Sequence, residues 1–121
     1  MSCSTNSIAT WCGDARQFLD VPTDCPQRDE RLGWTGDIAV FAPSAAYLFD
    51  VEDFLREWLA DVAAEQRAAD GMVGYVVPDV LKYVKHPSHF PRPESTAIWS
   101  DAAVWVPWAT WRAYGEPAGA A

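Results

Sequence analysis

Basic residues, histidine and cysteine are scarce in this sequence. Its 121 residues include 9 Lys and Arg against 17 Asp and Glu, which gives a formal net charge of −8 at pH 7. A chain this acidic is a poor partner for nucleic acid or for an anionic membrane surface. The two histidines and three cysteines include no CxxC pair and do not form the ligand pattern of a zinc site. We therefore expect no metal, no cofactor, no nucleic-acid partner and no membrane partner.

Long apolar runs are also absent. No segment is long enough to span a bilayer, and the N-terminus lacks the basic and apolar regions of a signal peptide. Together with the sparse cysteines, this favours a cytoplasmic location. The composition is nevertheless that of a folded chain, because 50% of the residues are apolar and seven are tryptophan.

Apolar residues recur at helical spacing in four segments, which predicts helices over roughly residues 4–18, 37–49, 50–70 and 101–115. The inward-facing residues of the last three are Ile38, Phe41, Ala42, Ala45, Leu48 and Phe49; then Val51, Phe54, Leu55, Trp58, Leu59 and Val62; then Val104, Pro107, Trp108 and Trp111. We expect the three tryptophans in this set to lie in the core. Trp105 is off this face and stays unassigned.

Polar residues at the helix ends agree with these boundaries. Asp37 and Asp50 can cap the second and third predicted helices, and Ser100 with Asp101 can cap the fourth. Gly71 can end the third helix, because glycine readily adopts the left-handed conformation found there.

The connection over residues 71–98 carries four prolines that break any long element, and Val73 to Val77 reads as a short extended piece. The fold class is therefore all-α, built from antiparallel helix pairs of the kind found in helical barrels and solenoids.

One non-periodic stretch concentrates polar chemistry. Residues 24–37 read DCPQRDERLGWTGD and combine four carboxylates, two arginines and one tryptophan. Crowded carboxyl groups can keep one of their number protonated near neutral pH, as an acid catalyst requires. Trp34 can stack on a sugar ring, while Gly33 and Gly36 let the backbone approach a ligand closely. This mixture suits a pocket that binds a polar, ring-shaped ligand and transfers a proton to it.

From Val21 to Asp37 the sequence resembles the signature of bacterial α-L-rhamnosidases, the inverting glycoside hydrolases of family 78. The later segment IWSDAA, residues 98–103, resembles the Trp-Gly-Asp-Ala segment of that family, with Ser100 in place of the glycine. The resemblance implies a partial (α/α)6 barrel of antiparallel helix pairs. Residues 1–121 would be a fragment of the catalytic domain, with the motif loop at about residues 20–37.

The resemblance also implies roles for individual residues. Glu30 would be the general acid. The residues that would contact the sugar are Asp24, Arg28, Trp34, Asp37 and Trp99. The family's general base is a second Glu far downstream, and we find no counterpart, since Glu94 and Glu116 lack the right context. The implied reaction is hydrolysis of terminal α-L-rhamnose from glycosides or polysaccharides, completed by the remainder of the catalytic domain.

Other interpretations of the same residues stay open. The motif could be a solvated loop with weak ion pairs, and Asp37 could act only as a helix cap. The chain could be a non-catalytic helical fragment that binds a sugar or a protein, or part of a related (α/α)6 glycosidase for another sugar. Its apolar helix faces also predict self-association when they are exposed.

Overall fold

The structure is a computed structural model that describes residues 18–20, 23, 29–83 and 96–115. In this part the chain forms three α-helices: α1 is Thr35–Leu48, α2 is Glu52–Ala68 and α3 is Ala102–Tyr114. A 3-10 turn covers Leu81–Tyr83. No strand forms among the described residues, which confirms the all-α class. The helix predicted over residues 4–18 lies outside them, apart from its last residue, and none of the described helices could cross a membrane.

Contacts at the helix ends fix the directions of the three helices. Gly36, in the first turn of α1, lies against Trp99, just before α3. At the other end, the Tyr114 hydroxyl donates to the Phe49 carbonyl at 3.2 Å. Helices α1 and α3 therefore run parallel. The same hydroxyl accepts a hydrogen bond from the Val51 amide at 3.0 Å, so α2 begins where α3 ends and runs antiparallel to it.

The core lies where α3 packs against α1 and α2. Helix α2 buries Leu55, Trp58 and Val62, as its pattern predicts. Helix α1 contributes mainly small residues, and its buried set is Thr35, Gly36, Ile38, Ala39, Ala42 and Ala45. Small side chains let α1 and α3 approach closely. The prediction that Leu48 faces inward is wrong, because that side chain is exposed at the end of α1.

The predicted inward face of α3 is also wrong. Val104, Trp108 and Trp111 are 67%, 57% and 49% exposed, so these two tryptophans are not core residues. The buried residues are Ala102, Val106, Ala109 and Thr110. The predicted set and the buried set follow the same helical period but are offset by two residues. Hydrophobicity does not distinguish them, because the helix is apolar on nearly all sides. Close packing against α1 favours the set with the smaller side chains. The buried Thr110 hydroxyl has a hydrogen-bond partner within the helix, since it donates to the Val106 carbonyl at 2.8 Å.

Helices α1 and α2 begin without the predicted aspartate caps. Helix α1 starts at Thr35, so Asp37 lies inside its first turn rather than at the cap position. The Thr35 amide donates to the Tyr75 carbonyl at 2.8 Å. Helix α2 has Val51 at its cap position instead of Asp50. At each of these starts a backbone amide donates instead to a distant residue: Thr35 to the Tyr75 carbonyl and Val51 to the Tyr114 hydroxyl.

The remaining helix ends agree better with the sequence. Asp101 occupies the cap position of α3, but its carboxylate accepts from the Ile98 amide at 3.0 Å instead of from the helix. Gly71 has φ of 89° and its amide donates to the Gln66 carbonyl at 2.8 Å, which ends α2 as predicted. Gly115, with φ of 76°, ends α3.

The segment after α2 returns along the helices as an extended piece. Val73, Val76 and Val77 are buried, which agrees with the prediction of a short extended segment there. Farther along, the Asp79 amide donates to Glu65 Oε1 at 3.1 Å, and Lys82 Nζ lies 3.1 Å from Glu65 Oε2. This carboxylate stabilises the ammonium form and raises the pKa of Lys82 above its ordinary value. The connection is thereby fastened to the last turns of α2.

Replacing Tyr114 with Phe should destabilise the fold, because its hydroxyl joins the end of α1 to the start of α2. Tyr114→Phe leaves the Val51 amide and the Phe49 carbonyl without this partner, and we expect a loss of about 1–3 kcal/mol in unfolding free energy. Urea unfolding measures the loss. The matched control is Tyr47→Phe, since Tyr47 is 89% exposed. Equal stability of the two variants would contradict the role assigned to Tyr114.

Candidate functional site

The second half of the acidic motif is held rigidly at the start of α1. The Val77 amide donates to the Gly33 carbonyl at 2.9 Å, and the Thr35 amide donates to the Tyr75 carbonyl at 2.8 Å. Trp34 lies between these two bonds, opposite Val76 in an antiparallel bridge. The buried Thr35 hydroxyl adds contacts to the Gly74 and Tyr75 carbonyls at 3.0 and 3.1 Å. The backbone that carries Trp34 is therefore fixed on both sides.

Trp99 completes this end of the molecule. A Cβ added to Gly36 would lie 3.2 Å from Cδ1 and Nε1 of the Trp99 indole, so the absence of a side chain at Gly36 lets the indole lie against α1. Tyr75 meets the same indole edge-on, with 5.7 Å between the ring centroids. The Tyr75 hydroxyl is hydrogen-bonded to Thr96 Oγ1 at 2.6 Å, which holds the tyrosine against the turn that precedes α3.

Ser100 ties the same turn to the extended segment. Its hydroxyl donates to the Val73 carbonyl at 3.0 Å and accepts from the Thr96 amide at 3.0 Å. A glycine at this position, as in the segment that residues 98–103 resemble, would make neither bond. The serine at position 100, in place of glycine, therefore stabilises the structure, because it positions the turn that carries Trp99.

The structure brings three of the predicted site residues to one end of the fold. Trp34 is at the cap position of α1, Asp37 is in its first turn, and Trp99 lies across Gly36 from them; all three are partly buried. Asp37 also lies at the positive end of the α1 dipole, where a negative charge is favoured.

The predicted acid, Glu30, is exposed on a bend just before this cluster. The chain then turns at Arg31 and Gly33, whose φ angles are 45° and 69°. Arg31 pairs with Asp20 at 3.7 Å. Asp24 and Arg28 lie outside the described residues, so their placement in a sugar pocket stays a prediction. The accessible Glu30 carboxyl thus comes shortly before, in sequence, the junction formed by Trp34, Asp37 and Trp99.

Sequence reasoning missed the residues that support this junction, chiefly Tyr75 and Thr96. The available signal was the extended segment predicted from Val73 to Val77, which contains Tyr75. That pattern does not say which distant segment it pairs with.

An open groove lies elsewhere in the described part of the chain. It measures about 570 Å³ and lies between α1 and α3, and we call it the aromatic groove. Its larger side chains are Pro43, Tyr47, Trp105, Trp108 and Arg112. None of the predicted site residues lines it. Within the described part of the chain, no three His, Cys, Asp or Glu side chains are placed to hold a metal ion.

Comparison with known proteins decides the family. Residues 5–120 match the model of the bacterial α-L-rhamnosidase six-hairpin glycosidase domain. The chain belongs to this family. An α-L-rhamnosidase from Streptomyces avermitilis is 47% identical over 111 residues, which are 92% of this chain and 10% of that protein. One from Formosa agariphila is 40% identical over 99 residues, covering 82% of this chain and 10% of that protein.

Solved structures of the same family agree with the helical arrangement. The native α-L-rhamnosidase of Aspergillus terreus superposes with a TM-score of 0.68 at 36% identity, over 95% of this chain and 13% of that one. The S. avermitilis α-L-rhamnosidase complexed with L-rhamnose gives 0.67 at 36% identity, over 95% and 11%. The three helices are thus part of a helical barrel, and the chain spans about a tenth of the relatives it matches.

Replacing Gly36 with Ala should disturb this rhamnosidase-family junction. The new Cβ would press on the Trp99 indole at 3.2 Å. Overpacking costs about 1–3 kcal/mol, whereas removing glycine from a helix gains at most about 1 kcal/mol. We expect a net loss of about 1 kcal/mol in urea unfolding and a changed near-ultraviolet circular dichroism signal from tryptophan.

Ser44→Ala, at an exposed position of the same helix, is the matched control and should change neither reading. A Gly36→Ala protein with unaltered tryptophan signal and stability would show that Trp99 is not confined by α1.

Proposed function

We propose that this chain carries the general-acid part of the active site of an inverting α-L-rhamnosidase, within a fragment of an (α/α)6 catalytic domain over residues 1–121. The observation that supports it is the gathering of Trp34, Asp37 and Trp99 at one helix end, directly after the exposed Glu30. The substrate is a glycoside or polysaccharide with terminal α-L-rhamnose. Family membership and the L-rhamnose bound to the S. avermitilis relative support this choice of sugar.

Glu30 acts in its protonated form. Its carboxyl donates a proton to the glycosidic oxygen as the bond to the anomeric carbon breaks, and the leaving group departs as an alcohol. A water molecule attacks the anomeric carbon from the opposite face of the sugar, activated by a carboxylate base roughly 6.5–9.5 Å from the acid. That base has no counterpart in this chain, so the complete reaction needs residues from the remainder of the catalytic domain.

The other predicted residues bind the sugar. Carboxylates at Asp24 and Asp37 accept hydrogen bonds from ring hydroxyls, and the Arg28 guanidinium donates to a hydroxyl oxygen. The Trp34 face packs on the apolar side of the ring. Rhamnose carries a methyl group at C5 where mannose carries a hydroxymethyl group, so an indole surface favours the deoxy sugar. Trp99 adds a second apolar wall at the same helix end.

Changing Glu30 to Gln tests the acid role. The variant keeps the size and hydrogen bonding of the side chain but cannot supply the proton, and we expect a 10²–10⁴-fold lower kcat on an α-L-rhamnoside, by the usual scale of general acid catalysis. The assay uses a chimera in which this chain replaces the matching segment of the S. avermitilis enzyme, because the chain alone lacks the base.

Asp53→Asn is the control, since Asp53 is an exposed carboxylate in the first turn of α2, away from the junction. An active chimera that keeps its full rate with Gln at position 30 would exclude Glu30 as the acid. An inactive chimera that still binds L-rhamnose would instead favour the alternative of a non-catalytic sugar-binding fragment.

A second role concerns the exposed aromatic surface. We propose that the aromatic groove packs against other helices of the six-hairpin domain. Two observations support this: the groove is built from large exposed apolar side chains, and the described residues supply only three helices of that domain. When those helices are absent, a second copy of this chain can cover the same surface.

The isolated chain should therefore self-associate through the aromatic groove. Trp108→Lys places a charge on this surface, and we expect at least about a tenfold weaker association constant by sedimentation equilibrium, on the scale of an interface hot spot. Tyr83→Lys, at an exposed residue of the 3-10 turn, is the matched control and should leave association unchanged. Equal weakening by both variants would mean that charge alone, rather than this surface, governs association.

A further inference from the structure

The turn that carries Trp99 contains a residue in an unfavourable backbone conformation. Ile98 has a φ of 78°, in the left-handed region that favours glycine. A branched Cβ makes this region particularly unfavourable, because the side chain crowds the following carbonyl group. The Ile98 side chain is 51% exposed, so core packing of this side chain offers little compensation. The conformation therefore depends on the hydrogen bonds of the turn.

Hydrogen bonds close the turn on both sides of Ile98. The Ser100 amide donates to the Thr96 carbonyl at 2.9 Å, and the Thr96 amide donates to Ser100 Oγ at 3.0 Å. The Ile98 amide itself donates to Asp101 Oδ2 at 3.0 Å. A carboxylate is a stronger acceptor for a backbone amide than a neutral oxygen is. Asp101 therefore stabilises the left-handed conformation of Ile98 directly.

The conformation of Ile98 sets the direction in which the chain enters Trp99. The two residues are adjacent, so a change in the φ of Ile98 redirects the backbone that carries the indole. The indole has little freedom where it lies, since a Cβ on Gly36 would come within 3.2 Å of it and the Tyr75 ring meets it edge-on. Backbone strain of this kind clusters at ligand-binding sites, where it preorganises the geometry.

We propose that Asp101 is a positioning residue for the sugar-binding indole of Trp99. By holding Ile98 in the left-handed region, the Asp101 carboxylate keeps the indole against Gly36, where it forms the second apolar wall for the rhamnose ring. Asp101 acts through the backbone and not by touching the sugar. The inference rests on the proposed function for the identity of the ligand, whereas the effect of Asp101 on Trp99 is independent of it.

A double-mutant cycle in the full chain tests the positioning. Trp99 is followed as a ¹⁹F signal of the 5-fluorotryptophan-labelled protein, assigned from its disappearance in Trp99→Phe. Asp101→Ala should shift this signal, because Ile98 then relaxes towards a negative φ. In the Ile98→Gly background the same change should have a much smaller effect, because glycine adopts a positive φ without help. Asp53→Ala removes an exposed carboxylate from the first turn of α2 and is the control.

Kinetics connect the position of Trp99 to sugar binding. In the chimera with the S. avermitilis enzyme, we expect Asp101→Ala to raise KM for an α-L-rhamnoside at least about threefold with a smaller change in kcat, because a binding wall that is in place only part of the time weakens binding in proportion. In the Ile98→Gly background this rise in KM should be largely absent.

Several outcomes would overturn the proposal. An equal effect of Asp101→Ala in both backgrounds would mean that Asp101 acts through its charge or touches the sugar. An unchanged Trp99 signal in Asp101→Ala would mean that the carboxylate does not position the indole. Asp101→Asn keeps an oxygen acceptor for the Ile98 amide, so its Trp99 signal should stay close to that of the parent protein even if Asp101→Ala unfolds. A signal in Asp101→Asn that is displaced as far as by removal of the side chain would also overturn the proposal.

Failure of the proposed function gives a different result. The Trp99 signal then responds to Asp101→Ala as expected, while the parent chimera has no activity on the α-L-rhamnoside. That combination supports the positioning of Trp99 by Asp101 and counts against the rhamnosidase reaction.

Discussion

The structure depends most on a short backbone pairing between two segments far apart in sequence. Gly33 and Thr35 exchange hydrogen bonds with Val77 and Tyr75, and these bonds determine where α1 begins. They satisfy the first helical amide from outside, and they hold Trp34 at the cap position. They also keep the extended segment on the core, where its valines are buried. The start of α1, the position of Trp34 and the burial of the extended segment therefore all depend on this one long-range contact.

The next constraint is the close contact between α1 and α3. Alanines on both helices permit it, and the large aromatic side chains of α3 are consequently turned outward. Trp108 and Trp111 stack on each other with 5.0 Å between their centroids, which covers part of their apolar surface. In a monomer such a surface is unusual, but in a barrel each helix has neighbours on more than one side. This burial pattern is thus the one expected for a piece of a larger layer of helices.

The sequence predicted well wherever the local signal was strong and unambiguous. Helix α2 has polar residues on one face and apolar residues on the other, and both its core residues and its end at Gly71 are confirmed. Helix α3 has apolar residues on nearly all sides, so hydrophobicity did not identify its inward face. Close packing against α1 places the face with small side chains inward. The cap predictions at Asp37 and Asp50 are wrong, because α1 begins two residues before Asp37 and α2 has Val51 at its cap position; long-range contacts of Tyr75 and Tyr114 fix both starts. The family and its fold were predictable from an ordered motif, whereas the supports of Trp99 belong to segments that meet only after folding.

The parallel course of α1 and α3 has a consequence for how such a domain can diversify. Both helices start at the same edge, and the long connection over residues 69–101 opens there, whereas α1 and α2 are joined by residues 49–51 alone. If this unit is repeated around a ring, its long connections fall on one rim and its tight turns on the other. Substitutions and insertions are tolerated best in the loops of the first rim, while the tight turns of the second rim preserve the ring. Sequence variation is thereby confined to one edge of the fold, and the contacts that keep the fold stable lie at the other edge.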